Sequence, residues 1–264
     1  MANISADSIP YWLMLTVPDA CFLAALLMMA LVSSLLARRW WKGFLLGGAS
    51  GIFFVLLSLG LHVAFDGIRV TLWPGASAQA LALAGAIQNS FIGFVKFGLM
   101  ITVFWWILKR AGEAARPWRN AFWLGLGCLI GMELVNVTSN AIAMLLQGSL
   151  DFTLGWNRVI LLLAAQLTGY VAYFGTTMAV AMLARRVVLK RQMLYAMLAF
   201  VFPVVFLTGS LFVFADELGQ FLRGMLNLLV GLVALEYVVI IEYFIAPLDV
   251  PPSTPVPSYK TQEI

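Results

Sequence analysis

The sequence predicts an all-α fold: a polytopic membrane bundle of seven transmembrane helices, with the N-terminus outside and the C-terminus inside. Three observations carry that expectation. First, of 264 residues 62% are hydrophobic and 11% are charged, whereas soluble domains carry about 25% charged residues. A soluble fold of this length has no interior large enough for that much apolar surface, and the mean hydropathy of +0.96 agrees. Second, the apolar residues fall into seven runs of the length needed, about 20 residues, to cross a hydrocarbon core about 30 Å thick. Third, the loops between the runs alternate in charge.

In chain order the predicted spans are 12–37, 44–65, 79–108, 120–147, 156–184, 193–214 and 224–246. The segment before the first span, MANISADSIPYW, has no Lys or Arg. A secretory signal needs a basic stretch ahead of a short apolar core, so the first run reads as a retained helix. The first, third and fifth loops carry Arg38, Arg39 and Lys42; Lys109, Arg110, Arg116 and Arg119; and Arg185, Arg186, Lys190 and Arg191. The second, fourth and sixth carry only Arg69, Arg158 and Arg223, together with Asp66, Asp151, Asp216 and Glu217. Cytoplasmic loops attract the Lys/Arg excess, which sets the orientation. Residues 1–246 read as one transmembrane domain. Residues 247–264, PLDVPPSTPVPSYKTQEI, are rich in Pro, Ser and Thr and read as a disordered cytoplasmic tail.

The net charge of +4 and the pI near 9.2 follow from the basic loops, so nucleic acid is not expected as a partner. The expected partners are the lipid bilayer and a second membrane protein, and the expected location is the inner membrane of a cell. Cys21 and Cys128 both lie inside apolar runs, which argues against a disulfide framework or a thiolate metal site. His62 is the single histidine, so a His/Cys zinc site is not expected, and no cofactor is. Trp40 and Trp41 beside Arg38 and Arg39, and Trp105 and Trp106 before Lys109, read as headgroup-level anchors. Gly43, Gly47 and Gly51, and again Gly127 and Gly131, recur every four residues, the spacing that lets membrane helices approach closely.

Lys96 and Glu133 each stand near the middle of a span. An ionised group at the bilayer centre costs about 2.5–3.5 kcal/mol on insertion scales, so each should face protein and find a partner. Lys96 lies 12 residues before Leu108 and Glu133 13 after Asn120. A rise of about 1.5 Å per residue places both roughly 18–20 Å from the same face, which predicts a Lys96–Glu133 ion pair across consecutive antiparallel helices. Asn89 shares a helix face with Lys96. Asn136 and Asn140 share one with Glu133, at i, i+3 and i+7. Gln166 and Glu236 come at comparable depth, and Glu236 competes as the partner of Lys96. Together these residues predict a polar seam, either a site or a hydrogen-bonded network that fixes helix register. Glu242 is close enough to the cytoplasmic end to snorkel, and His62 reads as an interfacial residue.

The order of features resembles the YhfC-type membrane proteins, relatives of the CPBP and PrsW glutamic intramembrane peptidases. That family has Phe-Glu-Glu-x-x-Arg on one helix. The next helix, after a basic loop, opens with Gly-x-Gly-His-Gly-Gly-x-Glu, and a later helix carries His-x-x-x-Asp. Here the third span reads GFVKFGLM, with Phe94 and Gly98 in place, but the paired glutamates fall on Val95 and Lys96 and the arginine on Leu99. The fourth reads GLGCLIGMELV. Gly125 and Gly127 fit its opening, Cys128 stands at the histidine, and Glu133 fits the glutamate with a one-residue offset. The sixth span has no histidine or aspartate at the matching places. The resemblance therefore implies a degenerate relative without peptidase activity, a scaffold or binding subunit.

Two other functions compete with that expectation. One is a transporter or channel using the seam around Lys96, Glu133, Asn136, Asn140 and Glu236. Against it, the sequence lacks the paired Gly/Pro-broken helices that often mark secondary transporters. The other is an intramembrane hydrolase with Glu133 as the base. A retinal-binding rhodopsin is excluded because the seventh span has no lysine.

Overall fold

The structure, a computed structural model, describes residues 8–36, 40–72, 75, 77–112, 118–147, 153–186, 225, 228–234 and 236. They form five long helices: α1 (Tyr11–Leu36), α2 (Trp41–Leu72), α3 (Ala78–Arg110), α4 (Trp118–Gln147) and α5 (Trp156–Arg186). All five are long and apolar enough to cross a membrane, the architecture of a membrane protein with several spans. The predicted span 193–214 and the tail 247–264 lie outside the described residues. Of span 224–246, residues 225, 228–234 and 236 are helical.

Two features depart from the expected fold. A short antiparallel ribbon, β1 (Ser8–Pro10) with β2 (Thr153–Gly155), pairs Ile9 with Leu154 and ties the segment before α1 to the α4–α5 connection. Alternation over three residues is too short a signal to read as a strand. In addition, α2 runs to Leu72, so Asp66 and Arg69 are helical rather than loop residues and bridge each other at 3.1 Å on the last turns.

The packing follows from the glycines. α4 is the most buried span and α1 the least. A Cβ on Gly47 would meet the carbonyl oxygen of Leu124, and one on Gly51 that of Cys128. In return, a Cβ on Gly127 would meet the carbonyl oxygen of Phe44, and one on Gly131 that of Gly48. The two small-residue stripes therefore face each other, and the advancing register shows that α2 and α4 run parallel. Gly43 departs from this pattern and makes room for the Trp40 ring. α4 also packs on α1 and α5, and α3 packs on α2 and α5. With its backbone pressed against α2, α4 is separated from α3, which lies diagonally across the bundle. Their cores still meet through side chains, with Cys128 Sγ 3.9 Å from Met100 Sδ. Residues 228–234 are held against α5, where Gly175 faces Gly231 backbone to backbone.

At the end of the bundle where α3 stops and α4 begins, the aromatic and basic residues read as anchors pair with each other. Lys109 Nζ lies 4.8 Å from the Trp105 ring centre and the Arg110 guanidinium 4.0 Å from that of Trp106. These cation–π contacts suit a headgroup-level belt. Trp41, Phe44 and Trp123 cluster at the same end, Phe44 edge to face with both tryptophans, whose own rings are tilted by 36°.

Candidate functional site

A stripe on α2 sets where the site opens. Its four-residue repeat runs Gly43, Gly47, Gly51, then Val55 and Leu59. While the repeat is glycine, α4 lies against the α2 backbone. Where it turns to Val and Leu, the added side chains hold the helices apart, and a cavity of about 470 Å³ begins there. Every long helix contributes to its wall: Asp19 from α1, Ser58 and His62 from α2, Lys96 from α3, Glu133 and Asn136 from α4, and Gln166, Tyr170 and Tyr173 from α5. Volumes of roughly 300–1,000 Å³ are usual for small-ligand sites.

Two carboxylates and one ammonium share this space. Glu133 is only 1% exposed. Its Oε2 accepts from Asn136 Nδ2 at 3.3 Å, and its Oε1 is buried without a hydrogen-bond partner among the described residues. Asp19 accepts from Asn140 Nδ2 at 2.7 Å and from the Tyr170 hydroxyl, joining α1, α4 and α5. Lys96 lies over aromatic faces, its Nζ 5.1 Å from the Tyr173 ring centre and 5.9 Å from that of Phe97.

The expected Lys96–Glu133 ion pair does not form. Among the described residues the one salt bridge is Arg69–Asp66. Equal depth does not by itself make a pair, because consecutive helices need not be neighbours. The glycine contact brings α2 rather than α3 against α4, and the two charges line one cavity without meeting as an ion pair. Glu236 is exposed and does not line the cavity, so it is no substitute partner. Asn89 turns back on its own helix, donating to the Gly85 carbonyl at 2.8 Å. Asn136 lines the cavity, and Asn140 acts through Asp19.

His62 also differs from the interfacial reading. Because α2 continues to Leu72, His62 is well inside the helix, lines the cavity, and has Nδ1 3.4 Å from Gln88 Nε2. The same Gln88 nitrogen is 3.3 Å from Asp66 Oδ1. Sequence reasoning missed Asp19, although the signal was present: an acid inside the first apolar run, directly after Pro18. Tyr170 and Tyr173 carried no comparable signal, since aromatic residues are ordinary in membrane helices. Among the described residues, no group of three or more His, Cys, Asp or Glu could hold a metal ion.

No protein-family profile, curated protein or solved structure matches the chain.

Proposed function

We propose that this chain is a seven-span inner-membrane protein, N-terminus outside and C-terminus inside, that binds a small polar ligand within its helix bundle and performs no catalysis. In this reading it is a binding subunit of the YhfC-type layout with the peptidase motifs lost. One observation carries the ligand-binding reading: Lys96, Glu133 and Asp19 open on one cavity without an ion pair among them. Intramembrane charges are costly unless paired or hydrated, and a ligand bearing both signs would partner them. The alternating loop charges support the orientation.

The test is access from water. In a Cys21→Ala background, Ser58→Cys should react with both cationic and anionic water-soluble methanethiosulfonates. Cys128 is fully buried and contributes no background. A cysteine at position 58 inert to both reagents would overturn the reading.

A second reading is favoured by one observation. His62 and Glu133 line the same cavity, and a carboxylate with an imidazole is a suitable set for activating water. Cleavage of a membrane substrate that is lost in both Glu133→Gln and His62→Gln would establish the hydrolase instead.

A further inference from the structure

The polar cavity has an apolar neighbour. Tyr170 lines the polar cavity and also lines a second one, of about 580 Å³, between α1 and α5. The walls of the second are apolar, with Pro18, Phe22, Ala25 and Met29 on one side and Leu163 and Leu167 on the other. Tyr170 is the partition between them. Its ring stacks on Phe22, with centres 4.3 Å apart and planes 12° apart, while its hydroxyl donates to Asp19. Pro18 faces the apolar side and Asp19, the next residue, the polar side.

An apolar groove facing lipid gains little from burial alone, because lipid tails are as apolar as the groove. A shared wall with a charged cavity, at Tyr170, distinguishes this one, since a molecule reaching past Tyr170 into both must be amphipathic. Its head must also answer charges of both signs. Glu133 Oε1 has no donor among the described residues, and Lys96 has no carboxylate in salt-bridge reach among them.

We propose that the occupant is a zwitterionic lipid: its acyl chain lies in the α1–α5 groove, its ammonium group meets Glu133, and its phosphate meets Lys96. This rests on the ligand-binding reading above and names the ligand's class. Asp19, already accepting two hydrogen bonds, holds Tyr170 at the boundary between head and tail.

The full chain, purified in detergent, is offered three probes, and occupancy is read by native mass spectrometry. They are a lysophospholipid with a phosphoethanolamine head, one of equal chain length with a phosphoglycerol head, and chain-free phosphoethanolamine. The ethanolamine lysolipid should be retained about tenfold over either other probe. Glu133→Gln should remove the preference between the two heads. Ala25→Trp, which fills the groove at an exposed position, should lower lysolipid occupancy about tenfold while leaving Ser58→Cys labelling unchanged. Equal occupancy by both lysolipids, unaffected by Ala25→Trp, would mean lipid of the general annulus and overturn the proposal. Phosphoethanolamine binding as tightly as its lysolipid would also overturn it, but would leave the polar-ligand reading standing. A position 58 inert to aqueous reagents would remove both.

Discussion

At the scale of single residues, the site is a set of polar groups each held by a different device. Asp19 is held by two donors from two other helices, so its loss strands both. Asp19→Ala leaves Asn140 Nδ2 and the Tyr170 hydroxyl without their acceptor, a cost of about 1–3 kcal/mol for a buried group. Asp19→Asn keeps an acceptor oxygen and should recover part of it; thermal unfolding in detergent measures both. Lys96 behaves differently because it faces an aromatic ring. A severed buried ion pair costs about 3–5 kcal/mol and is relieved when both partners are removed. Here Lys96→Met and Glu133→Leu should show no such relief, and the double variant should lose about the sum of the two. A double variant more stable than either single one would show that the charges meet. The sequence made Lys96, Glu133 and Asn136 legible because a polar side chain in an apolar run stands out by its cost. Asp19 met the same criterion. Asn89 met it too, yet it is satisfied within its own helix, and no one-dimensional pattern separates those two outcomes.

At the scale of elements, α2 and α4 determine what the other helices can do. Their glycine contact was visible as two stripes, but not that one stripe faces the other. That pairing depends on the handedness and order of the whole bundle, and it is why depth alone misassigned the partner of Lys96. Helix ends were legible where aromatic and basic residues cluster, as at Trp105 to Arg110. They were less so at α2, whose last turns carry Asp66, Arg69 and Thr71, polar residues that read as loop. Glycines on one helix should therefore differ sharply in tolerance. Gly51→Val drives a branched side chain into the Cys128 carbonyl. It should cost about 1–3 kcal/mol or more, read as a lowered unfolding temperature and reduced yield of folded protein. Gly60 has open space around it, so Gly60→Ala should leave stability unchanged or slightly raised through helix propensity. Equal tolerance at both positions would mean that α2 does not pack against α4 through its backbone.

At the scale of the whole molecule, the loop charges and the ribbon constrain the topology independently. Loop charge reads the segment before α1 and the α4–α5 connection as lying on the outer side. The ribbon, which no sequence signal indicated, pairs those two segments directly, Ser8 with Gly155 and Pro10 with Thr153. Helices that begin at one ribbon start at the same end of the bundle, so α1 and α5 run parallel, an arrangement that requires an even number of crossings before α5 begins its own. The four preceding helices, alternating in direction, supply three crossings between the starts of α1 and α4 and a fourth that returns the chain to the ribbon. Ile9→Cys with Leu154→Cys, in a chain with Cys21 and Cys128 replaced, should therefore form a disulfide under mild oxidation. The thiols should be reached by membrane-impermeant maleimide from outside intact cells. A reporter fused after Ile264 should be active only in the cytoplasm. Cross-linking with labelling from the cytoplasmic side would keep the ribbon and invert the orientation. Cross-linking with an external Ile264 reporter would keep the five described spans and remove the odd total. Failure to cross-link would detach the N-terminal segment from the α4–α5 connection and leave the orientation resting on loop charge alone.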